Sequence, residues 1–227
     1  MADANSPTRK PIGRPRGEQS ENAARRRQQL VEAAIESIVE LGMSATTLAT
    51  VAKAAGLSQG VAVFYFKGKE NLLVATLRHH YEEYTNLWKS AVAKASDDPI
   101  DRVMALILAD LDPRICTARN LSLWNSFWGE AAARPRFAEL CEAYDKERYD
   151  MLVSLCKEAS GLAIEGWSPI DVADAFDSMT DGMWIRMHIT PDFMDLNAGR
   201  KLLARQACTI YPSHAKRIVE LADAALD

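Results

Sequence analysis

Apolar residues in this chain recur at helical spacing from end to end, and nowhere do they alternate as in a half-buried strand. The sharpest pattern is Thr47 to Phe66, TLATVAKAAGLSQGVAVFYF. Leu48, Val51, Ala52 and Ala55 stand at i, i+3, i+4 and i+7, which predicts one buried helical face. Thr47 can cap that helix through its hydroxyl, and Gly56 can end it by taking φ > 0. Ser58 can open a second short helix whose inward face is Ala62 and Phe66. Gln59, Gly60, Val61, Val63, Phe64 and Tyr65 are then left facing outward. Two short helices joined by a glycine turn make a helix-turn-helix, although an ordinary αα-corner has the same local pattern.

The remaining periodicity predicts a helix from about Ala23 to Leu41, with Leu30, Ala34, Ile38 and Leu41 buried and Gly42 ending it. A long helix should run from Glu70 to Lys94, and another from Pro99 to about Leu111, broken by Asp112-Pro113. Helices over about Thr117–Arg134 and from Pro135 to about Ser160 follow, then a loop containing Gly161, Gly166 and Ser168. Two more span about Pro169–Ile189 and Asn197–Tyr211, before a C-terminal stretch containing Lys216 to Leu226. The expected class is all-α, with nine or ten helices.

Composition narrows the picture. The 227 residues are 48% apolar and 26% charged, enough for one large unit or a small one plus a larger one. No run of about 18 apolar residues occurs, and the basic N-terminus lacks the apolar core of a secretion signal, so a cytoplasmic protein without a membrane partner is expected. Cys116, Cys141, Cys156 and Cys208 have neither disulfide nor metal-ligand spacing and read as reduced thiols. His79, His80, His188 and His214 are dispersed, and no catalytic, nucleotide or metal motif is present, so no cofactor or enzyme activity is expected. The net charge of −4 is unevenly divided: residues 1–69 carry 10 Lys and Arg against 6 Asp and Glu, and the remainder carries 17 against 25. A basic head on an acidic body attracts phosphate at one end only. The expected organisation is a flexible basic tail (1–20), a DNA-binding unit (21–69) and a helical body (70–227).

The run Ala52-Lys53-Ala54-Ala55-Gly56-Leu57-Ser58-Gln59-Gly60, followed by Tyr65-Phe66-Lys67-Gly68-Lys69, resembles the N-terminal domain of the tetracycline-repressor (TetR) family of bacterial regulators. The chain departs from many members at Val63, where a tyrosine hydroxyl is missing. The resemblance implies that Gln59, Gly60, Val61, Val63 and Phe64 face the major groove, with Thr47, Tyr65 and Lys69 on phosphates. Gln59 is the best base reader, because its amide both donates to and accepts from an adenine edge. Upstream, Pro11-Ile12-Gly13-Arg14-Pro15-Arg16-Gly17 resembles an AT-hook, in which Arg14 and Arg16 would enter a narrow minor groove. A merely solvated basic tail remains the alternative.

The body carries aromatic residues at helical spacing. Trp124, Phe127 and Trp128 share one face, Tyr81, Tyr84 and Trp88 another, and Asp177, Asp181 and Trp184 a third. Core packing explains aromatic stripes well but explains an acid within one poorly, since a buried carboxylate needs a cation. Arg186 could serve, or a bound quaternary ammonium, which favours aromatic faces and a counter-charge. The segments Leu123–Trp128 and Asp181–Arg186 are similar to those of the choline-responsive, BetI-type repressors of glycine-betaine synthesis. That likeness implies a ligand site walled by Trp124, Phe127, Trp128 and Trp184, with Asp181 or Asp177 as counter-charge and Tyr81, Tyr84, Trp88 and Tyr144 as further wall members. It also implies a homodimer paired through the last two long helices, for which Val172, Phe176, Met179, Met183, Met187, Leu202, Leu203 and Ile210 supply apolar positions. The resulting expectation is a ligand-controlled repressor that binds operator DNA. The alternatives are a regulator of efflux or of another catabolic operon sensing a different lipophilic cation, and an architectural DNA-binding protein without a ligand.

Overall fold

The computed structural model describes residues 16–225, with side chains from residue 21 onward. Among the described residues there are ten α-helices and no strand. They are α1 (Arg16–Ala45), α2 (Leu48–Ala54), α3 (Gln59–Phe66), α4 (Lys69–Lys94), α5 (Pro99–Ala109), α6 (Ala118–Ala131), α7 (Pro135–Glu158), α8 (Pro169–Ile189), α9 (Leu196–Ile210) and α10 (Ala215–Ala224). No helix among them is long and apolar enough to cross a membrane.

Local chemistry sets most of these boundaries. Thr47 and Thr50 form a reciprocal cap at the start of α2, with Thr50 N donating to Thr47 Oγ1 at 3.1 Å and Thr47 N to Thr50 Oγ1 at 2.8 Å. Gly56 takes φ 64, a conformation glycine reaches without strain, and turns the chain from α2 into α3. Asp98, Arg134 and Ser168 each precede a proline at the first helical position, where a missing N–H costs nothing.

The first helix differs from expectation at both ends. It starts at Arg16 and not near Ala23, because Glu18, Gln19 and Glu21 are good helix formers and acids favour a first turn. Gly42 does interrupt it, at φ 82 and ψ 162, but a short helical turn resumes as far as Ala45. That kink turns Leu41 outward, 55% exposed, and gives its place in the core to Met43.

Two apolar clusters result. One gathers Leu30, Ala34, Val51, Ala52, Ala62, Phe66 and Leu72 from the first four helices. The larger takes Ile35 and Ile38 from α1, Leu73 and Leu77 from another face of α4, and then the core of every later helix. Helices α1 and α4 therefore serve both clusters and join the head to the body.

The apolar residues expected at a dimer interface are mostly used within the chain. Val172, Phe176, Met183, Met187, Leu203 and Ile210 are buried in the body's own core, and Met179 packs partly against it. Leu202 alone of that set is exposed, at 39%. The outward apolar face around α8 and α9 is formed instead by Ile185, Ile189, Phe193 and Leu202, because the stripe first identified is the one that packs on α5, α6 and α7.

Candidate functional site

Tyr81 and Tyr84 from α4, Asp110 at the end of α5, Trp124 and Trp128 from α6, Asp145 and Arg148 from α7, and Asp177, Thr180, Asp181 and Trp184 from α8 line one cavity of about 230 Å³. It is smaller than the ~300–1,000 Å³ typical of drug-sized sites, so it suits a ligand of few heavy atoms.

Its aromatic side is continuous. The indoles of Trp124, Trp128 and Trp184 lie near-parallel, with centroids 5.7, 5.8 and 6.0 Å apart. Packed on one another at that distance, they meet a ligand as one wall. Tyr81 and Tyr84 stand edge-on to Trp124 at 4.6 and 6.0 Å. Trp184 is anchored by Nε1, which donates to the Asp110 carbonyl at 2.7 Å. Behind Trp124 lies the buried imidazole of His80, 4.3 Å between centroids, whose pKa burial depresses to about 3, so it stands there as a neutral ring.

The polar side is an excess of carboxylates. Arg148 donates Nε to Asp110 Oδ1 at 3.1 Å, Nη2 to Asp110 Oδ2, and Nη1 to Asp177 Oδ1 at 2.5 Å. Tyr84 adds its hydroxyl to Asp110 Oδ1 at 2.5 Å. Burial alone would raise the Asp110 pKa and lower that of Arg148. A guanidinium cannot readily discharge, and three donors converge on the carboxylate, so the pair is ionised. Asp145 accepts from the Tyr81 hydroxyl at 3.2 Å. Asp145 and Asp181 present an open edge to solvent, yet each is close-packed on its inner side. Desolvation, and after it repulsion from Asp177, raises Asp181 to about 6. Asp145 is raised to about 6 by desolvation first. Four carboxylates thus face one guanidinium across an aromatic wall, an arrangement that attracts a small cation.

Of the expected ligand residues, Tyr81, Tyr84, Trp124, Trp128, Asp177, Asp181 and Trp184 meet in this cavity. Phe127 instead packs edge-on to Phe137 of α7 at 5.3 Å, because it lies on the flank of the stripe that meets α7. Trp88, 1% exposed, lies one turn too far along α4 and belongs to the core. Tyr144 stacks behind Tyr81 at 4.9 Å and lines a separate groove with Arg78 and Arg136. Arg186 is exposed, and the buried cation is Arg148. Asp110, Asp145, Arg148 and Thr180 escaped sequence reading. Asp110 and Arg148 do leave a signal, since each falls on an otherwise apolar stripe, with Leu106 and Ile107 or Leu152 and Leu155 three, four or seven residues away.

At the other end, Gln59, Gly60, Val63 and Phe64 are exposed on α3, with Val63 at 41% and Phe64 at 67%. Val61 and Tyr65 are half-buried against the head's core. Thr47 is exposed but already engaged as a cap. Lys69 is engaged too: its Nζ donates to the carbonyls of Met43 at 2.7 Å and Ser44 at 2.9 Å, and burial lowers its pKa. Two of its three donors therefore hold the end of α1 and not a phosphate. Arg14 lies outside the described residues, and the side chain of Arg16 does as well, so the expected minor-groove contact does.

A short helix-turn-helix head joined to a helical body is the architecture of a DNA-binding regulator. Residues 30–76 match the family model described as bacterial regulatory proteins of the tetR family, and residues 99–210 that of the BetI-type transcriptional repressor, C-terminal. The chain is 33% identical over 180 residues to the HTH-type transcriptional regulator BetI of Burkholderia thailandensis, covering 78% of this chain and 89% of that one. Against BetI of Stenotrophomonas maltophilia it is 32% identical over 161 residues, covering 71% and 80%. The chain therefore belongs to the TetR family of transcriptional regulators, as a repressor of the BetI type. Its fold is shared with a transcriptional regulator from Pseudomonas aeruginosa PAO1 (TM-score 0.74, 18% identity, 86% of this chain and 94% of that one). It is likewise shared with a regulator from Saccharomonospora viridis solved in complex with choline (TM-score 0.71, 17% identity, 79% and 94%).

Proposed function

We propose that this repressor binds operator DNA as a homodimer in the cytoplasm, has no enzymatic activity, and is controlled by choline or a closely related quaternary ammonium in the Trp124–Trp128–Trp184 cavity. The carrying observation is the charge imbalance there: Asp110, Asp145, Asp177 and Asp181 against Arg148 alone, beside three indoles. An ammonium whose methyl groups cover its charge suits both sides at once, through cation–π attraction and a counter-charge. The choline complex of the Saccharomonospora viridis regulator supports this reading, and the names of the Burkholderia and Stenotrophomonas relatives support control of glycine-betaine synthesis genes. A regulator of efflux sensing a bulky lipophilic cation is disfavoured by the 230 Å³ volume, and an architectural protein by the presence of the cavity itself.

On the DNA side, Gln59, Gly60, Val63 and Phe64 would face the major groove, with Val61 and Tyr65 at its edge. Ile185, Ile189, Phe193 and Leu202 would be covered by the second copy. Ligand would favour a dimer whose recognition helices no longer match grooves about 34–36 Å apart. A difference of about 1–3 kcal/mol between the two states gives five- to hundred-fold release.

Titrating choline into the wild type and Trp128→Leu tests the site. Trp128 is the half-buried indole, so leucine keeps the packing and discards the π face. Affinity should fall at least tenfold, because a desolvated cation–π contact contributes about 2 kcal/mol. Wild-type affinity in a folded Trp128→Leu protein would remove the indole wall from ligand binding.

A further inference from the structure

Arg200 on α9 is a second buried cation, 5% exposed, and no carboxylate among the described residues lies within ion-pair distance of it. Its Nε and Nη2 both donate to one acceptor, the Leu111 carbonyl beyond the end of α5, at 3.1 and 2.7 Å. Its Nη1 has no hydrogen-bond partner among the described residues. The negative end of α5 offsets part of the charge. Asp112 is near enough to act on it through space but is hydrogen-bonded to Arg114, so this buried guanidinium has an uncommitted donor and no carboxylate bonded to it, unlike most buried charges.

That side chain borders a cavity of about 620 Å³ between the end of α4, α5, α9 and α10. Met104, Leu108 and Leu221 give it an apolar lining. Lys94, Arg114, Arg200 and Arg217 face it, against two carboxylates that are already engaged. Asp101 accepts from Arg217 Nε and Nη2 at 2.8 and 2.5 Å, and Asp112 from Arg114 Nε and Nη2 at 2.8 and 2.7 Å. The space therefore has a positive balance, opposite in sign to the cavity beneath the indoles. None of its lining comes from α8, and α10 lies beyond residues 99–210, which the BetI-type family model matches.

We propose that this cavity is a second ligand site, for a small amphipathic carboxylate. Its head would take the free Nη1 of Arg200, and its short hydrocarbon chain would lie on Met104, Leu108 and Leu221. The pairing follows from chemistry alone, since guanidinium binds carboxylate through parallel N–H donors and the remaining surface gains by excluding water.

Octanoate is the probe, titrated calorimetrically into the full-length protein, with octanamide as the uncharged control and choline as the fold check. Saturable binding of one octanoate per chain is expected, at least tenfold tighter than octanamide. Arg200→Gln should lose at least tenfold in octanoate affinity while still binding choline. Ala105→Trp fills the cavity from α5 without touching the charge and should lose as much, which keeps the test open if Arg200→Gln does not fold. The proposal is overturned by non-saturable uptake, by octanamide binding as well as octanoate, by wild-type octanoate affinity in Ala105→Trp, or by competition between octanoate and choline for one site.

Discussion

Arg148 on α7 and Asp110 at the end of α5 form a two-point ion pair beneath the indole wall, with both side chains almost fully enclosed. The pair joins helices distant in sequence and sets the charge that the cavity offers. Asp110 is neutralised internally, Asp177 is shared, and Asp145 and Asp181 remain for a ligand. Its removal also tests how the body is held together.

Arg148→Met should cost about 3–5 kcal/mol, because it leaves the Asp110 charge buried with only the Tyr84 hydroxyl to bond it. The double variant Arg148→Met/Asp110→Asn should recover part of that loss, since no uncompensated charge remains. Urea unfolding at one fixed protein concentration compares them. Strictly additive losses would mean that the two groups do not support one another.

Acid should act on this site in two opposed directions. Asp145 and Asp181 titrate near pH 6 in the folded, ligand-free protein, well above an unfolded aspartate near 3.9. The native state thus holds extra protons between about pH 4 and 6, so these two groups favour folding below that window and the benefit fades as pH rises through 6. Choline binding has the reverse dependence, because protonation removes its counter-charges. Affinity should fall several-fold between pH 7.5 and 5, and binding near pH 6 should release protons, detectable as a buffer-dependent heat. A choline affinity independent of pH would place both acids away from the ligand.

The elements were legible in the sequence because their signals are local. Thr47, Gly56, Pro99, Pro135 and Pro169 mark boundaries through chemistry that needs no knowledge of the fold. The aromatic wall was legible for a related reason: helical spacing says which side chains share a face. What stayed hidden was the identity of the face across the cavity. Arg148 interrupts an apolar stripe, but nothing local says which acids it meets until α5 and α8 bring Asp110 and Asp177 to it. The dimer stripe failed in the same way, since an apolar stripe on α8 looks alike whether it meets this chain or another.

Lys69 is expected to support the head structurally more than it binds DNA. Its ammonium holds two carbonyls where α1 ends, and hydrogen bonds to charged groups contribute about 1.5–3 kcal/mol when buried, less at a half-exposed site such as this one. Lys69→Met should lower the melting temperature without DNA and weaken all DNA through a looser head, leaving the salt slope nearly unchanged. An unaltered melting temperature with a slope shallower by about one unit would return Lys69 to the phosphate backbone.

The outward face of α3 implies a particular style of reading. Gln59 is its one exposed side chain able to hydrogen-bond a base edge, while Val63 and Phe64 project carbon alone. Apolar groups in the major groove distinguish bases chiefly through the thymine methyl. An operator selected from random DNA should therefore contain thymines opposite Val63 and Phe64 and an adenine opposite Gln59. Replacing those thymines by uracil should cost about 0.8 kcal/mol per methyl group lost on the specific site and leave non-specific binding and salt dependence alone, because no phosphate contact changes. Gln59→Ala should cost about 1–3 kcal/mol and relax the choice at one position. Gel-shift titrations on the selected site, its uracil form and an unrelated duplex compare these effects. If Gln59→Ala weakened every duplex equally, the glutamine would be supporting the head and not reading a base.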